Sequence, residues 1–269
     1  MEQFKVLVDE MKVRGYSRKT ISRYLYINSR FLSFIKKSPK DINKSDIGRY
    51  LVWLYDKNLS SATRHLVCAA LKFYYEIVMK RRFGLKYPKK SYKMPVVLSK
   101  EEILQMINVT KNPKHKLLLM LMYGSGLRVG EAIKARIEDF NIENNILIVK
   151  DGKGSKDRAV NLSEKFILNF ARLVNGKKEG YLFESSQKPN SHISSRTAQL
   201  IVKNALKNAK ISKNAHPHTL RTSYATHLIE TGTDIAYVQR LLGHSSIKTT
   251  QTYLRLSNSS IRSIKSPLD

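Results

Sequence analysis

Residues 83–98, FGLKYPKKSYKMPVVL, carry two prolines, a glycine and four lysines, with neither a helical nor a strand period. Proline interrupts the backbone hydrogen bonding of either element, so no helix or central strand runs through such a stretch. A chain of 269 residues broken there must close a hydrophobic core on each side of the break. The expectation is a helical domain over residues 1–88, an extended basic linker over 89–98 and a second domain over 99–269.

Before the break, apolar residues recur at helical spacing. Phe4, Leu7, Val8 and Met11 form one stripe, which Gly15 ends. Ile21, Leu25, Asn28, Leu32 and Ile35 form a second, with Ser17 as N-cap. A third covers Ile47 to Tyr55 after Ser45 as cap. A fourth runs from Ser60 or Ser61 to about Lys80, with Leu66, Ala70, Phe73 and Ile77 along one side. Short polar connections make these a compact helical domain. After the break, Ser99-Lys100-Glu101-Glu102 reads as a capping box. Helical patterns follow near 112–124, 128–136, 163–174, 194–209, 218–231 and 234–242. Ile146–Val149 and Arg158–Leu162 flank a turn rich in glycine and lysine and predict a β-hairpin. The fold class expected is mainly α with a small β-sheet (α+β).

Charge narrows the partners. The chain holds 49 Lys+Arg against 21 Asp+Glu, a net +28. Self-repulsion of this size calls for a polyanion, nucleic acid first and an anionic membrane surface second. Residues 1–88 carry a net +12 and the remainder +16, so both parts are built to meet phosphate. Cys68 is the one cysteine, which excludes an internal disulfide and fits a reducing compartment. The N-terminus lacks the apolar core of a signal peptide, and Leu117 to Tyr123 is too short to cross a bilayer. A soluble, cytoplasmic, DNA-associated protein is expected.

Five segments of the second part bear chemistry. They are SGLRVGE at 125–131, GKGSKDR at 152–158, HTLRTSYATHL at 218–228, LLGHSS at 241–246 and TTQTY at 249–253. Taken singly, each has a plain reading. Arg128 could be a solvated arginine beside a turn, although the macrodipole disfavours an arginine at a helix N-terminus unless it holds an anion. Lys153 could be an exposed turn lysine, although its flanking glycines free it to reach a phosphate. His216, His218 and His244 could each cap a helix or fill a core. As a metal set they lack a completing carboxylate or thiolate, and no metal or other cofactor is expected.

Together, and in this order, the five segments resemble the tyrosine recombinase (phage integrase-type) family, the small Xer-like members in particular. YSRKTISRY at 16–24 and SATR at 61–64 match more loosely, so the resemblance covers nearly the whole chain. It implies an N-terminal, SAM-like core-binding domain and a C-terminal catalytic domain that together clamp duplex DNA. It places the catalytic set on Arg128, Lys153, His218, Arg221, His244 and Tyr253. It also implies a 3′-phosphotyrosine on Tyr253, a homo-tetramer on two DNA sites and passage through a Holliday junction. Thr222 departs from the pattern, since many relatives have a second histidine there.

The chemistry asked of these side chains is definite. Two arginines present planar donor forks to phosphoryl oxygens that gain charge, and stay cationic throughout. Glu131, one turn after Arg128, is placed to orient that arginine or a neighbour. His218 would take the proton of the phenol, Lys153 would give one to the leaving 5′-oxygen, and His244 would donate a hydrogen bond to a phosphoryl oxygen. The phosphotyrosine conserves the bond, so rejoining needs no ATP. Candidate DNA contacts are Arg18, Lys19, Arg23, Arg64, Lys72, Lys86, Lys89 and Lys90.

The chain begins directly at the helical domain, without an arm-binding domain. This favours resolution of chromosome or plasmid dimers over the work of a complex phage integrase. Integration of a mobile element and a type IB topoisomerase are the enzymatic alternatives, and a DNA-binding protein without activity is the other. After Tyr253, Ile261, Ile264 and Leu268 form a short apolar stripe that docks in cis or in a neighbouring protomer.

Overall fold

The computed structural model describes residues 4–89, 94–150 and 157–254. The chain divides into two units, Met1–Lys93 and Met94–Asp269, each with its own core.

The N-terminal unit packs α1 (Lys5–Val13), α2 (Arg18–Ile35), α3 (Lys44–Asp56) and α4 (Ser61–Lys72) around Leu7, Met11, Phe31, Ile47, Tyr50 and Leu71. Ser17 caps α2, its Oγ accepting from the Thr20 N–H at 3.2 Å. Asn28 belongs to the buried stripe because its amide donates to the Tyr24 carbonyl at 2.9 Å and the Ala70 carbonyl at 3.3 Å, pinning α2 to α4.

Two expectations for this unit are corrected. The cap of α3 is Asn43, not Ser45. Asn43 Oδ1 accepts from the Asp46 N–H at 3.0 Å, and Asp46 Oδ2 accepts from the Asn43 N–H at 3.0 Å. This reciprocal pair satisfies two helix-end donors at once; Ser45 adds only its hydroxyl to Asn43 Oδ1 at 2.7 Å. The fourth helix does not stay α-helical to Lys80. It widens into a π-helical segment, Phe73–Val78, where three successive aromatics, Phe73, Tyr74 and Tyr75, are all buried. A regular helix turns three successive side chains over some 200°, so it cannot bury them on one face.

The expected linker is also fastened at its flanks. Leu85 is buried in the N-terminal core, its N–H held by Glu76 Oε1 at 3.1 Å. Leu98 is buried in the C-terminal core, its N–H held by Ser223 Oγ at 2.9 Å.

The C-terminal unit contains α5 (Lys100–Val109), α6 (Pro113–Gly124), α7 (Val129–Lys134), α8 (Glu164–Val174), α9 (Ser195–Asn208), α10 (Pro217–Glu230), α11 (Ile235–Leu242) and α12 (Ile247–Leu254). Its antiparallel sheet has the order β1-β2-β3, from Phe140–Asn141, Ile146–Val149 and Arg158–Asn161. Leu147 faces Val160 in the hairpin register. The capping box at Ser99 is formed, with the Ser99 N–H donating to Glu102 Oε2 at 2.7 Å. Helix α6 buries Leu117, Leu118, Leu119, Leu121 and Met122 and so runs through the centre of the core. A separate cluster of Ala225, Ile229, Val238, Leu242 and Tyr253 joins α10, α11 and α12. Strand β1 and helix α12 were not expected. The strand is two residues long, and only Thr250 and Tyr253 of α12 are buried, so neither writes an apolar period.

Candidate active site

Arg221 on α10 is fully buried. Its Nη1 donates to the Gly126 carbonyl at 2.8 Å, and its Nη2 to the Leu242 carbonyl at 2.6 Å and to His244 Nε2 at 3.0 Å. Its Nε finds no partner among the described residues, leaving one donor of the fork open. Gly126 brings its carbonyl this close because it has no side chain. Its φ is +59°, and a Cβ there would lie 2.3 Å from the Tyr224 ring. Burial and the nearby Arg128 push the Arg221 pKa down to about 10, which keeps the guanidinium charged at neutral pH.

Glu131 organises the neighbouring cations. Its carboxylate accepts from the Arg128 N–H at 2.9 Å, Arg128 Nη1 at 2.6 Å, Arg158 Nη1 at 3.2 Å and Arg158 Nη2 at 2.7 Å. Arg221 Nη1 stands 3.9 Å away. Burial alone would raise the Glu131 pKa, but the bonds from Arg158 and Arg128 outweigh it and hold the carboxyl at about 2. The local charge of three guanidiniums and one carboxylate is positive.

The end of α11 gathers the same three arginines. The Gly243 N–H bonds back to the Arg240 carbonyl and the His244 N–H to the Gln239 carbonyl, closing the helix with Gly243 at φ +61°. This leaves the last carbonyls for other donors. Leu241 O takes Arg158 Nε at 2.8 Å, Leu242 O takes Arg221 Nη2 at 2.6 Å, and Gly243 O takes Arg128 Nη2 at 3.3 Å. The negative end of the helix dipole faces the cations. A Cβ on Gly243 would press to 3.0 Å from Arg158 Cδ, so that position also needs glycine.

His244 follows directly. Its Nε2 accepts from Arg221, because a guanidinium only donates. Its Nδ1 is 2.9 Å from Thr250 Oγ1. Burial, then Arg221 and Arg128, pull its pKa down to about 4, so the ring is neutral at pH 7. In this arrangement Nε2 is an acceptor, whereas donation to a phosphoryl oxygen needs a proton there. Tyr253 on α12 is buried, its ring 6.1 Å from that of His244. Burial raises the phenol pKa, while Arg221 and a hydrogen bond with Thr222 work the other way. Thr222, where many relatives carry a histidine, is thus one of the groups that favour the ionised form of the Tyr253 phenol. His218 stands in the first turn of α10; partial desolvation of its ring and then Arg221, His216 and Arg128 lower its pKa, favouring the neutral form that a base needs.

The structure thus gathers Arg128, Glu131, Arg221, His244 and Tyr253. Lys153, Lys90 and the stripe of Ile261, Ile264 and Leu268 lie outside the described residues. Two residues of the site were not singled out from sequence: Arg158, which closes the GKGSKDR segment, and Thr250, three residues before Tyr253.

In the N-terminal unit, Arg18, Lys19 and Arg23 are exposed on α2, and Lys19 and Arg23 line a hollow of about 590 Å³ with Tyr24 and Tyr26. Arg64 stacks 4.8 Å above Tyr55, and Lys72 lies 5.4 Å from the Tyr87 ring centre. Lys86 and Lys89 are exposed. His216 caps α10, its Nδ1 accepting from the Thr219 N–H at 3.2 Å. Among the described residues no group of three or more His, Cys, Asp or Glu could hold a metal ion, and no helix is long and apolar enough to cross a membrane.

Comparison with known proteins matches the same regions. Residues 96–260 fit the model of the phage integrase family, and residues 4–85 fit that of the phage integrase N-terminal SAM-like domain. Tyrosine recombinase XerA of Pyrococcus horikoshii is 34% identical over 94% of this chain and 88% of its own. An integrase/recombinase of Escherichia coli is 28% identical over 98% of this chain and 92% of its own. The fold also matches the crystal structure of XerH site-specific recombinase bound to palindromic difH substrate, a post-cleavage complex. There the TM-score is 0.77 with 23% identity, covering 93% of this chain and 80% of that one. The chain belongs to the phage integrase family as an Xer-type tyrosine recombinase, an enzyme that cleaves and rejoins DNA.

Proposed function

We propose that the chain is a site-specific recombinase that attacks duplex DNA with Tyr253 and conserves the broken bond as a 3′-phosphotyrosine. The observation that carries this reading is the buried Arg221, charged and with one donor open, beside Arg128, His244 and the Tyr253 phenol. A phosphodiester supplies the anion that this positive pocket lacks. Arg128 and Arg221 hold its non-bridging oxygens as charge grows on them, and His244 adds a third donor once its Nε2 carries a proton. His218 takes the phenolic proton and Lys153 protonates the leaving 5′-oxygen. Arg18, Lys19, Arg23, Arg64, Lys72, Lys86, Lys89 and Lys90 contact phosphates, and four protomers act on two sites in the cytoplasm.

Tyr253→Phe is expected to bind DNA and to give no denaturant-resistant adduct on a nicked duplex. Adducts from that variant would move the nucleophile elsewhere. Resolution of chromosome or plasmid dimers is the role proposed from the Xer-like motifs, and integration of a mobile element is the alternative favoured by the likeness to the Escherichia coli integrase/recombinase. Sequencing DNA fragments selected by the protein from a random pool separates the two.

A further inference from the structure

Thr250 is fully buried on α12, one turn before Tyr253. Its Oγ1 lies 2.9 Å from His244 Nδ1, while His244 Nε2 lies 3.0 Å from Arg221 Nη2. Arg221 has no acceptor to offer, so Nε2 must hold a lone pair, and the ring proton is left on Nδ1, facing Thr250. We propose that Thr250 is a positioning residue for DNA cleavage, whose hydroxyl satisfies His244 Nδ1 in either protonation state and ties that ring to the helix bearing Tyr253. The inference rests on the reading above, in which His244 and Tyr253 serve the cleavage step.

The choice of a hydroxyl has a chemical reason. An incoming phosphoryl oxygen competes for the donors of Arg221 and asks His244 for a proton at Nε2. A hydroxyl accepts from a protonated Nδ1 or donates to a bare one without moving. It keeps the ring in plane and in reach in either state. A carboxylate would only accept, and an apolar side chain would leave a buried ring nitrogen unsatisfied. The other threonines of α12 do not share the contact: Thr249 is exposed, and the Thr252 hydroxyl turns to the Lys248 carbonyl at 3.5 Å.

The test compares Thr250→Val and Thr250→Ser in the full chain, on a nicked duplex selected from a random DNA pool. Cleavage is expected to fall by about 10- to 100-fold in the valine variant, on the scale seen when the partner behind a metal-bound histidine is lost. The serine variant is expected to retain most of the rate. Nitrogen-15 spectra of the His244 ring are expected to show an Nδ1 proton in the wild type and the serine variant, and a changed pattern in the valine variant. Wild-type cleavage by the valine variant overturns the proposal. So do equal losses in both variants with an unchanged ring spectrum, which would mean helix packing alone. If the valine variant fails to fold, the free wild-type chain still decides, because a ring protonated at Nε2 there contradicts the assignment. Absence of any Tyr253 adduct from the wild type would sink the functional reading instead, and the ring spectra would stand apart from it.

Discussion

Asp46 in the N-terminal unit, fully buried, and Glu131 in the C-terminal unit, mostly buried, are carboxylates that each accept from two cationic side chains and a backbone N–H. Asp46 bonds Lys37 at 3.0 Å and Arg49 at 2.5 Å, and its pKa sits at about 2 because the Asn43 N–H and these cations outweigh the cost of burial. Those cations keep their water, with side chains 39% and 66% exposed. Around Glu131 the cations are themselves withdrawn, with Arg128 at 27%, Arg158 at 9% and Arg221 at 0%. A desolvated charge is tolerated only when something opposes it. In the first unit the carboxylate completes a helix cap. In the second, one carboxylate and a helix end stand among three guanidiniums, two of them nearly dry, and the net positive charge suits an anion from outside.

The sharpest way to break this contrast is to remove each acid. Glu131→Gln is expected to lower DNA cleavage by about 100-fold or more, through misplaced transition-state donors. Glu131→Ala is expected to destabilise the C-terminal unit by about 3–5 kcal/mol, as for a buried pair that loses one partner. Asp46→Ala is expected to cost about 1–2 kcal/mol, the scale of a lost cap, and to leave cleavage by the folded protein intact. Chemical denaturation followed by adduct assays checks all three; equal cleavage losses at the two sites would erase the distinction.

Acid should separate the units next. The depressed pKa of His244, about 4, means that its contribution to stability is complete above the unfolded histidine value and is lost as pH falls towards 4. His218 and His227 are shifted in the same direction. The loss is on the order of 2 kcal/mol at pH 5 for one such histidine. Asp46, held at about 2, keeps its contribution until pH drops below the ordinary carboxylate range. Trp53, the single tryptophan, lies in the N-terminal unit and reports it selectively. Melts at pH 5 should weaken the C-terminal unit while the Trp53 transition holds. Simultaneous loss of both would count against the neutral, buried imidazole.

The smallest effect expected is from inorganic phosphate. At about five times its Kd it should stabilise the C-terminal unit by about 1 kcal/mol and leave the Trp53 transition unmoved. Equal shifts in both transitions would mean general salt effects, not a pocket.

Much of this was readable from the chain. Arg128, Arg221, His244 and Tyr253 sit in short segments whose residue order carries the information. The amphipathic stripes placed α1, α2 and the body of α4 because one face of each is buried. What escaped depends on partners remote in sequence. Arg158 reads as the first residue of a strand, and its bonds to Glu131 and Leu241 cross 27 and 83 positions. Thr250 is a polar residue with no period around it. At α3 two acceptors two residues apart competed for the cap, and only the return bond from Asp46 decides for Asn43. The widening at Phe73 follows from packing three adjacent aromatics, which a rule based on 3.6 residues per turn cannot anticipate.

Because Arg128, Arg158 and Arg221 are each fastened to successive carbonyls of one helix end, they share a common datum. The three guanidinium tips are thereby referred to one helix end, as with tools set in a single jig. The same arrangement concentrates vulnerability. A side chain at Gly243, or a slip in the turn after Leu242, would disturb three guanidiniums in one event, so a single backbone position governs the alignment of the whole cluster.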